Sequence, residues 1–396
     1  MQKESSIKKI LILLVFFIYC LYYIEDMKTS ANVDVKQTDS RSGVYIFLIA
    51  LIAILLMYIF FRARYFKDIG VNIPIICLVV WGMFVDIYNE TNVWAMAVRL
   101  GLLVLWVATT FFISDIINDE KTYNILLALE FIIWIITMYY SAVAFSNFSD
   151  YKGDNTTNVL NISYNILVLI PLLLQLKNKY LKGFVLLVSG GFIFLSMKRG
   201  AILALILMLF TYCYTILKNK KINRKRFFIT VLTVLSLIVV AFILVDRFTN
   251  HYLSSRFSIE ELMDGSNRSK LYSAALQDIK NRSFWILMVG KGGGASVREL
   301  GTGVHNEILE MLFSYGLLGL IIYIWMIVKG VGSIIKQLKK KDEASAYYAM
   351  SMAYIVFVGL VGTALFAHYT FHIMVSIGLS CGYLRKRSKS LMEEQK

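Results

Sequence analysis

Four cysteines in 396 residues, Cys20, Cys77, Cys213 and Cys381, each lie inside or at the end of an apolar run. That scatter excludes a disulfide framework or a zinc site and leaves packing as their use. Charge is scarce too. Only 17% of residues are Asp, Glu, Lys or Arg, against 58% hydrophobic side chains, and the mean hydropathy is +0.64. One soluble core cannot bury so much apolar surface, so the chain is an integral membrane protein. The apolar runs do not alternate with polar residues and exceed the roughly 9 to 11 residues of a barrel strand, which excludes a β-barrel. No small-residue cleavage site follows the first run, because Tyr22, Tyr23, Ile24 and Glu25 come next; it reads as a retained span. Also missing is GxxxxGK followed by Ser or Thr, so the glycines near residue 290 are no P-loop.

What is present is a series of apolar runs. Each helical span needs about 20 such residues, and irregular backbone cannot face lipid. We expect an all-α polytopic membrane protein of about twelve transmembrane helices, roughly at 8–24, 43–61, 71–88, 93–114, 123–146, 159–176, 180–197, 199–217, 227–246, 307–328, 346–366 and 368–384. Basic clusters near Lys8, Arg62, Lys177, 218–226, 336–343 and the C-terminus fall on one side, which the positive-inside rule makes cytoplasmic. The net charge of +15 is therefore topological and is no sign of nucleic-acid binding. The acid-rich turn 115–122 runs against this pattern. The expected organisation is nine spans in 1–246, a long outward-facing loop with short helices in 247–306, three spans in 307–384 and a cytoplasmic tail in 385–396.

That loop shares its compartment with the turn Ser196-Met197-Lys198-Arg199-Gly200. Positive charge in an outward turn opposes the topological bias. Lys198 and Arg199 are either a snorkelling pair or a site for negative charge. Within the loop, 266–283 has a candidate N-cap at Ser266 or Asn267, and Leu271, Ala274, Ala275, Leu276 and Ile279 recur at helical spacing. Arg268 sits in its first turn. Glycines at 290, 292, 293, 294, 301 and 303 permit positive φ and close backbone approach. His305 precedes a span, where an imidazole either relays protons near neutral pH or is an ordinary interfacial side chain. His368 and His372 stand i, i+4, a spacing open to metal ligation, but no Cys or carboxylate beside them completes a set. Counting about 1.5 Å per residue, Arg99 lies about 9 Å below the outer face and Glu130 about 10 Å above the inner one. The two are not a pair. Arg99, with Asp86, Asn161 and Asn165, suits an outward-opening cavity.

The Lys-Arg-Gly turn before AILALIL, the outward loop with Asn-Arg and a Gly-x-Gly-Gly stretch, and HNEILEMLFSYGLLGLIIY together resemble the O-antigen ligase and O-antigen polymerase superfamily, including Wzy-type polymerases of surface polysaccharides. The likeness covers topology over most of the chain and motifs over about 196–325. Lys198 stands where the family turn usually has serine. The resemblance implies transfer of a polyprenyl-diphosphate-linked glycan to an acceptor hydroxyl outside a bacterial plasma membrane, with both termini cytoplasmic. It implies His305 as general base, Arg199 and Arg268 on the diphosphate, and Lys198, Asn306 and Arg99 as further substrate-binding residues. No metal or other cofactor is expected, since guanidinium groups can balance the leaving charge. Expected partners are the lipid-linked oligosaccharide as donor and acceptor, membrane lipid, a flippase and a chain-length regulator, with no nucleic acid. Polymerase is the leading expectation; a ligase with a different acceptor and a polysaccharide flippase are the alternatives. Tyr252, Tyr272 and Trp285 are candidates to stack on sugars.

Overall fold

The computed structural model describes residues 2–31, 42–62, 71–117, 120–150, 162–196, 198–217, 268–340, 342–362, 364–366 and 370–394, with scattered positions between 225 and 258. Among the described residues every regular element is helical. The helices are α1 (Gln2–Ala31), α2 (Ser42–Arg62), α3 (Asn72–Tyr88), α4 (Val93–Ile116), α5 (Glu120–Asp150), α6 (Ile162–Leu167), α7 (Ile170–Leu173), α8 (Lys179–Leu195), α9 (Arg199–Leu217), α10 (Arg268–Lys280), α11 (Phe284–Val289), α12 (Ala295–Leu300), α13 (Glu307–Leu338), α14 (Glu343–Val361) and α15 (Phe371–Glu394). Every expected span except 227–246, which lies largely outside the described residues, meets one of them. Among the described residues five stretches are long and apolar enough to cross a membrane: Met96–Ile116, Glu120–Ser146, Arg199–Leu217, Glu307–Leu338 and Glu343–Val361. Shorter apolar helices accompany them. The chain is an all-α membrane protein.

The expected span 159–176 is broken into α6 and α7. Pro171 stands in the first turn of α7 and has no N–H for the carbonyl of Leu167, so the helix stops and restarts. Asn178 then opens α8, its side-chain oxygen accepting from the N–H groups of Tyr180 and Leu181.

At the centre, α14 packs against α9, α13 and α15, while α4 packs against α2, α3 and α15. Helix α13 shows the two-faced pattern of a peripheral span. Tyr315, Gly319, Tyr323, Met326 and Gly330 are buried, while Ile321, Ile324, Val328 and Ile335 are exposed. At one end of the bundle Asp115 accepts from Tyr58 OH at 2.6 Å and from Arg62 Nε at 3.1 Å, and Lys177 pairs with Glu120. Among the described residues of the acid-rich turn, Asp115 and Glu120 are thus paired locally.

One break in regularity positions the opposite end. Helix α13 is interrupted at Gly316 (φ 67°, ψ −170°). The freed carbonyls find partners: Ser314 O accepts from Gly292 N–H at 2.9 Å, and Tyr315 O from Trp81 Nε1 at 2.9 Å. A Cβ at Gly316 would meet Met288 O at 2.4 Å, and one at Gly290 would meet Ser314 O at 2.4 Å. Two backbones in this contact exclude any side chain, and both glycines hold positive φ at no steric cost. The glycine stretch is thereby docked onto α13.

Candidate functional site

Ser196 ends α8 by donating its hydroxyl to Ile193 O, and the Lys198 carbonyl starts the next helix by accepting from the N–H groups of Ala201 and Ile202. Lys198 and Arg199 thus stand at the N-terminus of α9, where the helix dipole already supplies positive charge. Two cations there are unfavourable without an anion, so the helix itself gives no reason for them. The Lys198 ammonium lies 5.7 Å from the centre of the Tyr164 ring, and Arg199 is half-buried. A Cβ at Gly200 would come 2.6 Å from Tyr164 OH and 3.8 Å from Val361 Cγ2, so the turn abuts the end of α14.

The segment before α13 reaches the same place. His305 is exposed and holds a left-handed backbone, φ 54°. Asn306 caps α13, its side-chain oxygen accepting from Leu309 N–H at 3.2 Å, and its Nδ2 donates to Leu360 O at 3.1 Å. Both ends of this amide are taken by the protein, which makes Asn306 the tie between the histidine and the end of α14.

Behind the histidine are two buried carboxylates whose partners composition did not reveal. Glu307, fully buried, accepts from Tyr323 OH at 2.9 Å and from the N–H groups of Ala364 and Leu365 at 2.5 and 2.6 Å. Glu310 accepts from Ser296 Oγ at 2.7 Å, Ser314 Oγ at 3.0 Å and Val304 N–H at 3.3 Å. Arg99 Nη1 stands 3.8 Å from Glu310 Oε1. The available signal was the Glu-x-x-Glu pair in the first turn of an otherwise apolar helix, where negative charge suits the dipole.

Next to Glu310 a cavity of about 410 Å³ opens between two segments remote in sequence. One wall is Asn89 to Asn92 with Arg99, and the other is Gly293, Gly294, Val297 and Arg298. Asp86, fully buried, accepts from Gly293 N–H at 2.5 Å. Arg298 donates to the carbonyls of Gly293 and Lys291 at 2.7 and 2.8 Å. Outside this cavity Asp278 binds Arg282 at 2.6 Å and Lys291 at 3.0 Å. Partial burial pushes its carboxyl up, but the hydrogen bonds and charges of Lys291 and Arg282 prevail and hold it below the usual Asp range.

Of the expected site residues, Lys198 and Arg199 belong to the turn whose Gly200 abuts Val361, and Asn306, next to His305, bonds the adjacent Leu360 carbonyl. Arg99 lies one step aside, across Glu310. The Arg268 side chain lies outside the described residues, as do Tyr252, Asn161, His368 and the proposed cap at Ser266 or Asn267. Helix α10 buries Ala275 and Ile279 against Ala295, Val304 and Phe313, whereas Leu276, expected on that buried side, is 51% exposed. Tyr272 packs on the same cluster and Trp285 is exposed. His372 and Glu130, given no role by the sequence, pair with each other inside the bundle at 2.7 Å. Among the described residues no group of three or more His, Cys, Asp or Glu could hold a metal ion.

Residues 184–324 match the family described as O-Antigen ligase. No curated protein matches the chain. The matched segment contains Lys198, Arg199, His305, Asn306 and the glycine wall of the cavity; Asn89 to Arg99 and the end of α14 lie outside it.

Proposed function

We propose, from the match of residues 184–324 to the family described as O-Antigen ligase, that the chain polymerises lipid-linked oligosaccharide repeat units on the outer side of a bacterial plasma membrane. Both termini are then cytoplasmic. The donor is a glycan joined through diphosphate to a polyprenyl lipid, and the acceptor is a hydroxyl of the next lipid-linked repeat.

His305 takes the proton from that hydroxyl as its oxygen attacks C1 of the donor sugar. The C1–O bond to the diphosphate breaks with inversion, and the polyprenyl diphosphate leaves with the electron pair. A positioned imidazole contributes about 10²- to 10⁴-fold. Arg199 and Arg268 balance the departing charge, since a guanidinium keeps its proton and its planar fork matches phosphate oxygens. Lys198 adds a point charge beside them. The reaction draws its substrate from a flippase and its product length from a chain-length regulator. The observation that carries this reading is the meeting of the Lys198–Gly200 turn and the His305–Asn306 segment on the adjacent residues Leu360 and Val361. Half-buried cations at a helix N-terminus suit a diphosphate, and the segment that carries His305 is tied by Asn306 to the end of the same helix α14.

The test is polysaccharide length by gel in cells lacking the gene and complemented with wild type or His305→Asn at matched membrane levels. Asparagine tolerates left-handed backbone, so this variant removes the imidazole without the strain alanine would add. We expect wild type to restore long chains. His305→Asn should leave single lipid-linked repeats on the outer face, with a loss of at least about 100-fold. Repeats trapped on the cytoplasmic face would sink the proposal in favour of a carrier. Long chains that stay lipid-linked would make the protein a ligase.

A further inference from the structure

The cavity beside Glu310 holds more hydrogen-bonding capacity than the protein uses. The Arg99 side chain is 25% exposed, and among the described residues its one ion pair is the 3.8 Å approach to Glu310, too long for a hydrogen bond. Glu310 is already supplied by two hydroxyls and a backbone N–H. It orients the guanidinium without saturating it. Around Gly293 lie Arg99 Cδ, Asp86 Oδ1 and Tyr315 OH, each within 3.2 Å of where a Cβ would sit. Asp86 Oδ2, Thr91 Oγ1 and Tyr315 OH are buried without a well-formed hydrogen bond, their contacts being those of Asp86 with Thr91 and of Tyr315 with Arg99. Buried polar atoms are normally well paired; of these three, Thr91 lines the opening and the other two lie against Gly293 in its wall. Its volume of about 410 Å³ falls in the range of small-molecule sites. The lining charges are two guanidiniums, Arg99 and Arg298, against one carboxylate, Glu90.

We propose that this cavity binds an anionic substituent, a carboxylate or phosphate, on a sugar of the acceptor glycan. Arg99 takes the anion in its planar fork, Arg298 adds a second positive charge, and Asn89, Thr91 and Asn92 meet sugar hydroxyls. The assignment to the acceptor rests on the glycan-transfer reading above. Two observations favour acceptor over donor. Glu310, whose N–H bonds back to Asn306 O across one helical turn, sits about 6 Å along α13 from the residue beside His305, and Arg99, 3.8 Å from Glu310, lines the cavity. One whole wall, Asn89 to Arg99, also lies outside the segment shared with the family. The residues that carry out transfer are thereby separated from those that choose what receives the glycan.

The experiment measures binding without turnover, using the full chain in lipid nanodiscs and ligand-observed NMR. The probes are hexuronic acids, hexose phosphates and their neutral parent hexoses, with polyprenyl diphosphate bearing no sugar as a separate arm. Wild type should bind at least one acidic sugar about tenfold tighter than its neutral parent. Arg99→Gln should erase that preference while leaving polyprenyl diphosphate binding and the melting temperature unchanged, and Arg99→Lys should restore part of it. Equal binding of acidic and neutral sugars overturns the proposal. So does an Arg99→Gln variant that loses polyprenyl diphosphate as strongly as acidic sugar, which would make the cavity part of the donor site. A protein that prefers acidic sugars yet transfers no glycan would refute the proposed function and leave the anion site standing.

Discussion

Two buried carboxylate clusters in this bundle use their charge in opposite ways. Glu130 on α5 accepts from or shares a proton with His372 on α15 at 2.7 Å, and the other ring nitrogen of His372 meets Tyr19 OH on α1 at 2.9 Å. Glu130 and His372 are fully buried, and Phe371 and Tyr23 pack around the imidazole. The partners are all side chains on regular helices. Glu307 and Glu310 instead also bind backbone N–H groups of irregular segments, those of Ala364 and Leu365 for one and of Val304 for the other, besides hydroxyls of Tyr323, Ser296 and Ser314 on helices. Where a bundle is regular, a carboxylate ties helices to one another; at a helix end it satisfies backbone that lipid could not. The second arrangement is the one that borders a cavity and a candidate base.

This contrast breaks first at Glu307. Glu307→Leu strands two backbone N–H groups and the Tyr323 hydroxyl, at about 1–3 kcal/mol each. We expect a protein that fails to accumulate or melts far below wild type in detergent, with Glu307→Gln much milder because it keeps an acceptor. A Glu307→Leu protein of wild-type stability would remove the claim that the carboxylate holds the 364–365 turn.

Glu130→Leu comes next. Breaking one side of a buried pair costs about 3–5 kcal/mol. Replacing both Glu130 and His372 by leucine should recover much of that, and polysaccharide output per folded molecule should stay at the wild-type level. Lost output from a stable double variant would show that the cluster serves the reaction and is more than a tie between helices.

The smallest effect concerns the segment over the site. Asp278 is held below the usual Asp range by Lys291 and Arg282. A depressed carboxyl contributes stability that is present above its unfolded value of about 3.9 and lost as pH falls through its lower folded value. Hydrogen exchange over residues 268–300 should therefore quicken below about pH 4 in wild type, while Asp278→Asn should exchange faster at neutral pH and show no such acid step. An unchanged acid step in Asp278→Asn would assign it to another group.

Much of the architecture was legible because the period and length of apolar runs are local quantities. The spans at 43–61, 71–88 and 199–217 reappear within a residue or two as α2, α3 and α9. The break at Pro171 was written in the chain but passed over, since the flanking residues are apolar enough to read as one span. The site was legible in part. Lys198, Arg199 and His305 stand out by type and position, whereas nothing in the string HNEILE says what Glu307 and Glu310 bind. Those partners, Ala364, Leu365, Ser296 and Val304, lie up to 58 residues away, and no spacing rule reaches across that distance. Leu276 illustrates the opposite failure. Its helical phase agreed with Ala275 and Ile279, yet which edge of α10 is covered depends on where Phe313 and Val304 sit.

By itself the sequence determined that this chain is a helical membrane protein and which residues could meet a diphosphate and an acceptor. Hydrophobic length and the scarcity of charge are properties of composition, and they survive any arrangement of the helices. Only the tertiary structure decided that Gly200 of the Lys198–Gly200 turn and Asn306 meet the adjacent residues Val361 and Leu360, and that Arg99 stands beside Glu310 and lines a cavity with Gly293 and Arg298. Those contacts follow from the kink at Gly316 and the backbone-to-backbone docking at Gly290. They are meetings of distant segments whose register is set by packing and no local pattern encodes.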